Sequence, residues 1–142
     1  MTVFSYYHPI TVRYRDLDPQ DHVNNAVYLT YLESARLGYY QQVGIYHPDS
    51  CILTGMVVVR NEIDYLAPIH FGQAVRVGLR VERMGTKSVT FTFQIETDPD
   101  GVPLARGQSV MVAYDNAADQ GVPIPSDWRE KISLYEEKSG KR

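Results

Sequence analysis

Residues 12–36 read VRYRDLDPQDHVNNAVYLTYLESAR, and their order is more informative than any other part of the chain. Val12 and Tyr14 alternate with polar neighbours, as in a half-buried strand. A polar elbow follows, Asp16-Leu17-Asp18-Pro19-Gln20-Asp21-His22, rich in residues that favour turns. Beyond it Tyr28, Tyr31, Leu32, Ala35 and Tyr39 recur at helical spacing and form one apolar stripe. Asn24 or Asn25 suits the helix N-cap and Gly44 suits its stop. Gly38 falls inside the stripe, where a missing side chain allows close approach to a sheet. This order aims a carboxylate at a helix N-terminus, whose free backbone N–H groups can hold a developing negative charge. An acid or base beside an oxyanion site is the minimum equipment for hydrolysing an acyl group.

Outward from that block, the pattern predicts strands. Residues 8–15 form the first, with Ile10, Val12 and Tyr14 on one face. Residues 56–65 form the second. Residues 73–83 alternate Val75, Val77, Leu79 and Val81 against Arg76, Gly78, Arg80 and Glu82. Residues 88–97 alternate Val89, Phe91, Phe93 and Ile95 against Thr90, Thr92, Gln94 and Glu96. Met84-Gly85-Thr86-Lys87 joins these two as a hairpin, and Asp98-Pro99-Asp100-Gly101 is another turn. Residues 104–114 complete the set. A polar tail follows from residue 115 to 142, with a short helix near residues 128–137. Alternating strands have one buried face, and the single long helix is its natural cover. The expected class is therefore α+β, one domain with an antiparallel sheet wrapped around one central helix. Open sheet edges invite pairing with a second copy, so a dimer is expected.

The chain has 142 residues, enough for one substantial core. Fourteen basic residues face 17 acidic ones, so no basic surface for nucleic acid is expected. Residues 1–8 lack the basic start and apolar run of a signal peptide, and no apolar stretch approaches a membrane span. Cys51 is the one cysteine and has no internal partner; a cytoplasmic location is expected.

Asp18 is the central candidate for chemistry, beside its plain reading as a turn residue. Asp16 reads as a solvated strand-end carboxylate or a cap. His22 reads as a proton shuttle, an orienting group or a loop histidine bonded to backbone. Asn24 and Asn25 read as caps or substrate contacts; the oxyanion role belongs to the backbone, not to the asparagine side chain. Glu33 reads as a solvated face residue or a partner of Arg36. The tyrosines at 28, 31 and 39 read as core or as the wall of an acyl pocket. Lys87 and Ser88, after a glycine turn, stand where phosphates could be received. The Asp16-x-Asp18 start resembles a calcium loop, but Asp21 occupies the position of its bending glycine and Val27 that of its bidentate glutamate. No metal is expected, and neither a Gly-x-Ser-x-Gly elbow nor a phosphate-cradling glycine loop is present.

The pattern Asp16-x-Asp18, His22-Val23-Asn24-Asn25, Tyr28, Glu33 and Ala35-Arg36 resembles the 4-hydroxybenzoyl-CoA thioesterase family of the hotdog superfamily, especially its short bacterial acyl-CoA thioesterases. The resemblance continues through Asp64-Tyr65-x-x-Pro68-Ile69-x-Phe71-Gly72-Gln73, Gly85-Thr86-Lys87-Ser88 and Pro125-x-x-Trp128. It implies a hotdog fold, dimers that often pair into homotetramers, no cofactor and an acyl-CoA substrate. It puts Asp18 on the family's catalytic carboxylate and Asn25 where a backbone N–H polarises the thioester carbonyl. Lys87 and Ser88 fall near positions that contact CoA phosphates. The catalytic set expected is Asp18, His22 and Asn25, with Asn24, Tyr28, Glu33, Lys87 and Ser88 as substrate contacts. Some plant acyl-carrier-protein thioesterases of the wider group carry Asp-x-Asn-x-His, which here reads Asp18-x-Gln20-x-His22, with Gln20 departing from the pattern. The alternatives are an acyl-carrier-protein thioesterase, a hotdog dehydratase or hydratase, and a non-catalytic acyl-CoA binding module.

Overall fold

The structure, a computed structural model, describes residues 4–46 and 54–140; Cys51 lies outside them. Strand β1 spans Tyr6–Ile10, helix α1 Val27–Val43, β2 Thr54–Tyr65, β3 Val75–Met84, β4 Ser88–Thr97, β5 Pro103–Asp115, β6 Gln120–Gly121 and helix α2 Ser126–Gly140. The sheet runs in the order β1-β3-β4-β5-β2, with every neighbouring pair antiparallel, and the short β6 pairs antiparallel with the end of β5. This is the α+β, helix-on-sheet arrangement expected of a hotdog fold.

The alternation read from the sequence sorts the two faces. Val75, Val77 and Leu79 of β3 and Val89, Phe91, Phe93 and Ile95 of β4 are buried. Their face receives the α1 stripe of Tyr28, Tyr31, Leu32, Ala35 and Tyr39, also buried, with the Tyr39 ring edge-on to Phe91 at 5.2 Å. Burial of each such side chain stabilises by about 1.5–3 kcal/mol, so this interface is the core. At Gly38 the helix touches β1: a methyl there would collide with the Tyr6 hydroxyl and lie 2.7 Å from His8 Nδ1. Gly44 ends the helix in a left-handed conformation, φ 91°.

Two expectations need correction. The first strand is shifted: β1 starts at Tyr6 and ends at Ile10, pairing with β3 through Ile10↔Val75. The segment beyond turns away, because Tyr14–Asp16 forms a 3-10 turn that Asp16 caps from within. Tyr14, expected on the inner face, is 81% exposed. The C-terminal part is no mere polar tail either. Ile132 on α2 is fully buried, Tyr39 and Ser5 hydroxyls donate to Glu136, and Arg129 Nη2 donates to the Gly85 carbonyl. Helix α2 therefore straps the hairpin end of the sheet. Strand β2 pairs only with β5 and leaves its other edge open among the described residues. Val57, Val58 and Val59 are exposed along it, next to a register shift between Val58 and Arg60.

Candidate active site

The elbow between β1 and α1 is built around Asp16. Its side chain is 1% exposed and accepts from the Arg13 N–H at 2.9 Å, Arg13 Nη2 at 3.0 Å and the Tyr31 hydroxyl at 2.8 Å. Its carbonyl accepts from Asn24 N at 2.8 Å. Tyr31 belongs to the helix stripe, so this one carboxylate ties elbow to helix. The solvated reading of Asp16 is thus overturned, and the capping one stands. Burial pushes the Asp16 pKa up, but hydrogen bonds from the Arg13 backbone, Tyr31 and the Arg13 guanidinium outweigh it and hold the carboxyl below its ordinary value.

A depressed carboxyl pKa stabilises the folded chain above the ordinary value of 3.8, and that stabilisation is lost as pH falls through the lower, folded-state value. Asp16→Asn removes the ion pair and the charge-assisted bonds and is expected to cost about 2 kcal/mol at neutral pH. Its stability should also fall less steeply in acid than that of the parent protein. Denaturation midpoints taken from neutral pH downward check this, and parallel acid limbs for the two proteins would contradict it.

Asp18 sits one residue beyond, where its backbone N–H reaches the His22 carbonyl at 2.8 Å and its carbonyl receives Asp21 N at 3.0 Å. Asp21 closes this turn at φ 63°, a conformation aspartate tolerates better than most residues. The Asp18 carboxylate is half-buried. Oδ1 accepts from Gln20 N at 2.8 Å and, more weakly, from His22 N at 3.4 Å. Oδ2 accepts no hydrogen bond from the described residues. The outgoing strand of the elbow is pinned by Val23 N donating to the Ile69 carbonyl at 2.9 Å and by pairing of His22 with His70, whose rings meet edge-on at 5.0 Å.

A cavity of about 330 Å³ opens at this corner, lined by Asp18, His22, Val23, Asn25, Tyr28, Tyr65, Leu66, Ala67 and Pro68. Asn25 lies just ahead of α1, and its backbone N–H has no acceptor among the described residues. The Tyr65 hydroxyl, arriving from the end of β2, donates to the Asn25 carbonyl at 3.1 Å, and its ring lies edge-on to Tyr28 at 4.9 Å. Tyr28 is buried. That burial, with contributions from Tyr65 and Asp18, raises its pKa against a smaller opposing effect of the Ile69 backbone, so the ring faces the cavity as a neutral phenol.

The expected residues divide into four groups. Asp18, His22, Asn25 and Tyr28 share the cavity. Asn24 lies beside it in the turn leading into α1: its Oδ1 accepts from Ala26 N and its carbonyl from Val27 N, both at 2.9 Å, while the N-cap itself is Ala26 and not Asn24 or Asn25 as expected. Glu33 is exposed two turns along α1, on the rim of a different cleft with Arg36 and Tyr40. Lys87, exposed, and Ser88, half-buried, stand at the β3–β4 hairpin. The elbow adjoins the Val75 end of β3, so the ten-residue β3 separates them from Asp18 by about 30 Å within one chain. Tyr65 and His70 were absent from the expected site. Both stand in or next to the Asp64-Tyr65-x-x-Pro68 stretch of the resemblance, which was the available signal.

Residues 12–132, spanning elbow, helix, hairpin and most of the sheet, match the thioesterase-like superfamily. The chain belongs to that family. Thioesterase-like relatives include the long-chain acyl-CoA thioesterase FadM of Escherichia coli, 27% identical over 123 residues, 87% of this chain and 93% of FadM. The acyl-acyl carrier protein thioesterase ATL3 of Arabidopsis thaliana is 28% identical over 132 residues, 90% of this chain and 68% of ATL3. A thioesterase from Thermus thermophilus, solved in complex with coenzyme A and zinc, is 36% identical, with a TM-score of 0.81 over 96% of this chain and 98% of that one. The chain is accordingly an acyl-CoA thioesterase-like hotdog protein. Among the described residues no three His, Cys, Asp or Glu side chains gather as a metal site, and no helix is long and apolar enough to cross a membrane.

Proposed function

We propose that the protein hydrolyses acyl-CoA thioesters to a free carboxylic acid and CoA at the cavity of Asp18 and Asn25. The observation that carries this reading is the pairing, in one cavity, of a carboxylate with an uncommitted oxygen and a backbone N–H with no acceptor at the start of a 17-residue helix. The thioester carbonyl oxygen would accept from Asn25 N, where charge builds as the carbonyl carbon becomes tetrahedral. Asp18 Oδ2 would take a proton from water as the water oxygen bonds to that carbon; the C–S bond then breaks and the thiolate leaves with a proton. Direct attack by Oδ2 would form an anhydride that water later opens, and it employs the same free oxygen. His22 and Tyr28 line the walls and orient what enters. The test is thiol release from short aliphatic, long aliphatic and aromatic acyl-CoAs and from acyl-carrier protein. Release that depends on Asp18 supports the reading; no release from any of them refutes it.

The open β2 edge supports assembly with a second copy. Antiparallel pairing of two β2 strands about a twofold axis would carry one copy's hairpin toward the elbow end of the other. Lys87 and Ser88 would then meet the CoA phosphates of the partner's site, which the 30 Å separation within one chain does not allow. Lys87→Ala is expected to raise KM about threefold to tenfold with little change in kcat, most clearly at low salt. Mixing Lys87→Ala and Asp18→Asn chains under subunit exchange should restore turnover at low substrate, since some sites then receive both native residues. An unchanged KM, or mixtures no better than the sum of their parts, would reject this arrangement.

A further inference from the structure

A second cleft, about 200 Å³, is lined from α1, β2 and β5 and holds a buried cation with no ion pair among the described residues. Arg36 is 5% exposed, and its one hydrogen bond among the described residues runs from Nη1 to Ser109 Oγ at 3.5 Å. Ser109 in turn donates to Asn61 Oδ1 at 2.7 Å. No described acid side chain forms an ion pair with Arg36. The fold treats Arg76 differently: that guanidinium meets Glu96 at 2.7 Å and Asp98 at 3.6 Å. Beside Arg36 the Tyr40 hydroxyl is buried and has no hydrogen-bond partner among the described residues. A guanidinium carries five donors, and a buried cation is costly unless paired. Arg36 and Tyr40 both line this cleft, whose other walls include Leu37, Met56 and Met111, and the Tyr40 hydroxyl lies buried just behind its surface. Glu33 stands exposed on the rim; its charge acts on Arg36, but the two form no hydrogen bond or ion pair among the described residues.

We infer that this cleft receives the far end of the acyl group and selects chains bearing an acceptor oxygen there, a hydroxyl or a carboxylate, through Arg36 and Tyr40. The inference rests on the acyl-thioester reading above and adds a substrate class to it. From Asn25 to Arg36 the chain advances about 16 Å along the helix, and the arginine side chain leans back toward the helix start. An acyl tail lying along the α1–β2 seam spans that distance. A methyl-ended tail leaves these donors unpaired on binding, whereas an oxygen-ended one reaches them between the apolar side chains of Leu37, Met56 and Met111. Methionines at the wall adjust to tails of different shape.

The experiment separates this selection from the hydrolytic assignment. Thiol release by the unaltered protein is measured first with acyl-CoAs ending in methyl, hydroxyl and carboxylate. Binding is then titrated on Asp18→Asn with acyl-CoAs of matched medium length ending in methyl, hydroxyl or carboxylate. At least tenfold tighter binding of an oxygen-ended chain is expected, with the hydroxyl and carboxylate arms naming the preferred group. Arg36→Met in the same background should erase most of that preference, and Tyr40→Phe, which removes one oxygen and keeps the ring, part of it. Should Arg36→Met fail to fold, Tyr40→Phe decides. Equal binding of all three chains, as would follow if an acid of a second copy occupied Arg36, overturns the inference while thiol release leaves the hydrolytic reading standing. Absence of thiol release removes that reading and this inference with it.

Discussion

Asp18→Asn is expected to lower kcat for acyl-CoA hydrolysis by about 10²–10⁴ while the fold survives. Asparagine has nearly the shape of aspartate, and its amide oxygen can still accept from Gln20 N and His22 N, the bonds that shape the turn. What it loses is the free oxygen Oδ2, replaced by an NH₂ that can neither take a proton from water nor attack a carbonyl. KM should change little, because the acyl group and CoA gain their contacts elsewhere in the cavity. A drop confined to kcat, with an unchanged denaturation curve, identifies a group that acts in the transition state. Near-normal turnover in Asp18→Asn would remove Asp18 from the chemistry. Residual activity is still expected, since the Asn25 N–H stays in place and a single oxyanion donor is itself worth about 10²–10³ in rate.

Gly107→Ala should be the most damaging small substitution in the sheet, at about 3 kcal/mol. Gly107 lies in mid-strand on β5, opposite Ile63 of β2 and Phe93 of β4. A methyl there would run into the Glu62 carbonyl oxygen and sit 2.8 Å from its carbon and 3.1 Å from Ile63 Cα. Those atoms are backbone, so no side chain can swing aside; β2 has to part from β5. Because β2 delivers Tyr65 to Asn25 and Tyr28, the cavity should loosen along with the sheet, and activity should fall with stability. Gly44→Ala makes the contrast. It has open space around it but a left-handed backbone, φ 91°, and should cost only about 1 kcal/mol. Chemical denaturation of the two variants measures the difference, and a Gly107→Ala protein as stable as its parent would show that β2 can shift without penalty.

Features carried by short-range pattern were legible in the chain itself. The alternation over β3 and β4 predicted both strands and their buried faces, since a pleated strand turns every second side chain the same way. The α1 stripe, its stop at Gly44 and the two turns rest on local geometry in the same way. The elbow was recognised because Asp18, Pro19 and Asp21 are adjacent in sequence and form the turn among themselves.

Features set by distant partners were not legible. The end of β1 depends on its pairing with β3, from Tyr6↔Leu79 to Ile10↔Val75, which no local pattern encodes. Asp16 looked solvated until Tyr31, fifteen residues on, folded back to cover it. Tyr65 joins the cavity across forty residues of chain, and the length of β3 puts Lys87 far from Asp18 although one family pattern includes both. Arg36 was equally hidden: nothing in Glu33-Ser34-Ala35-Arg36 reveals that the cation is buried while the glutamate stays in solvent. The sequence by itself determined the elements, their faces and the chemistry available at the elbow, because these follow from periodicity and turn stereochemistry. Which side chains share a cavity, and which charge is left without an ion pair, was decided only by the tertiary packing of α1 and the elbow against the sheet, because those contacts join residues that no short-range rule connects.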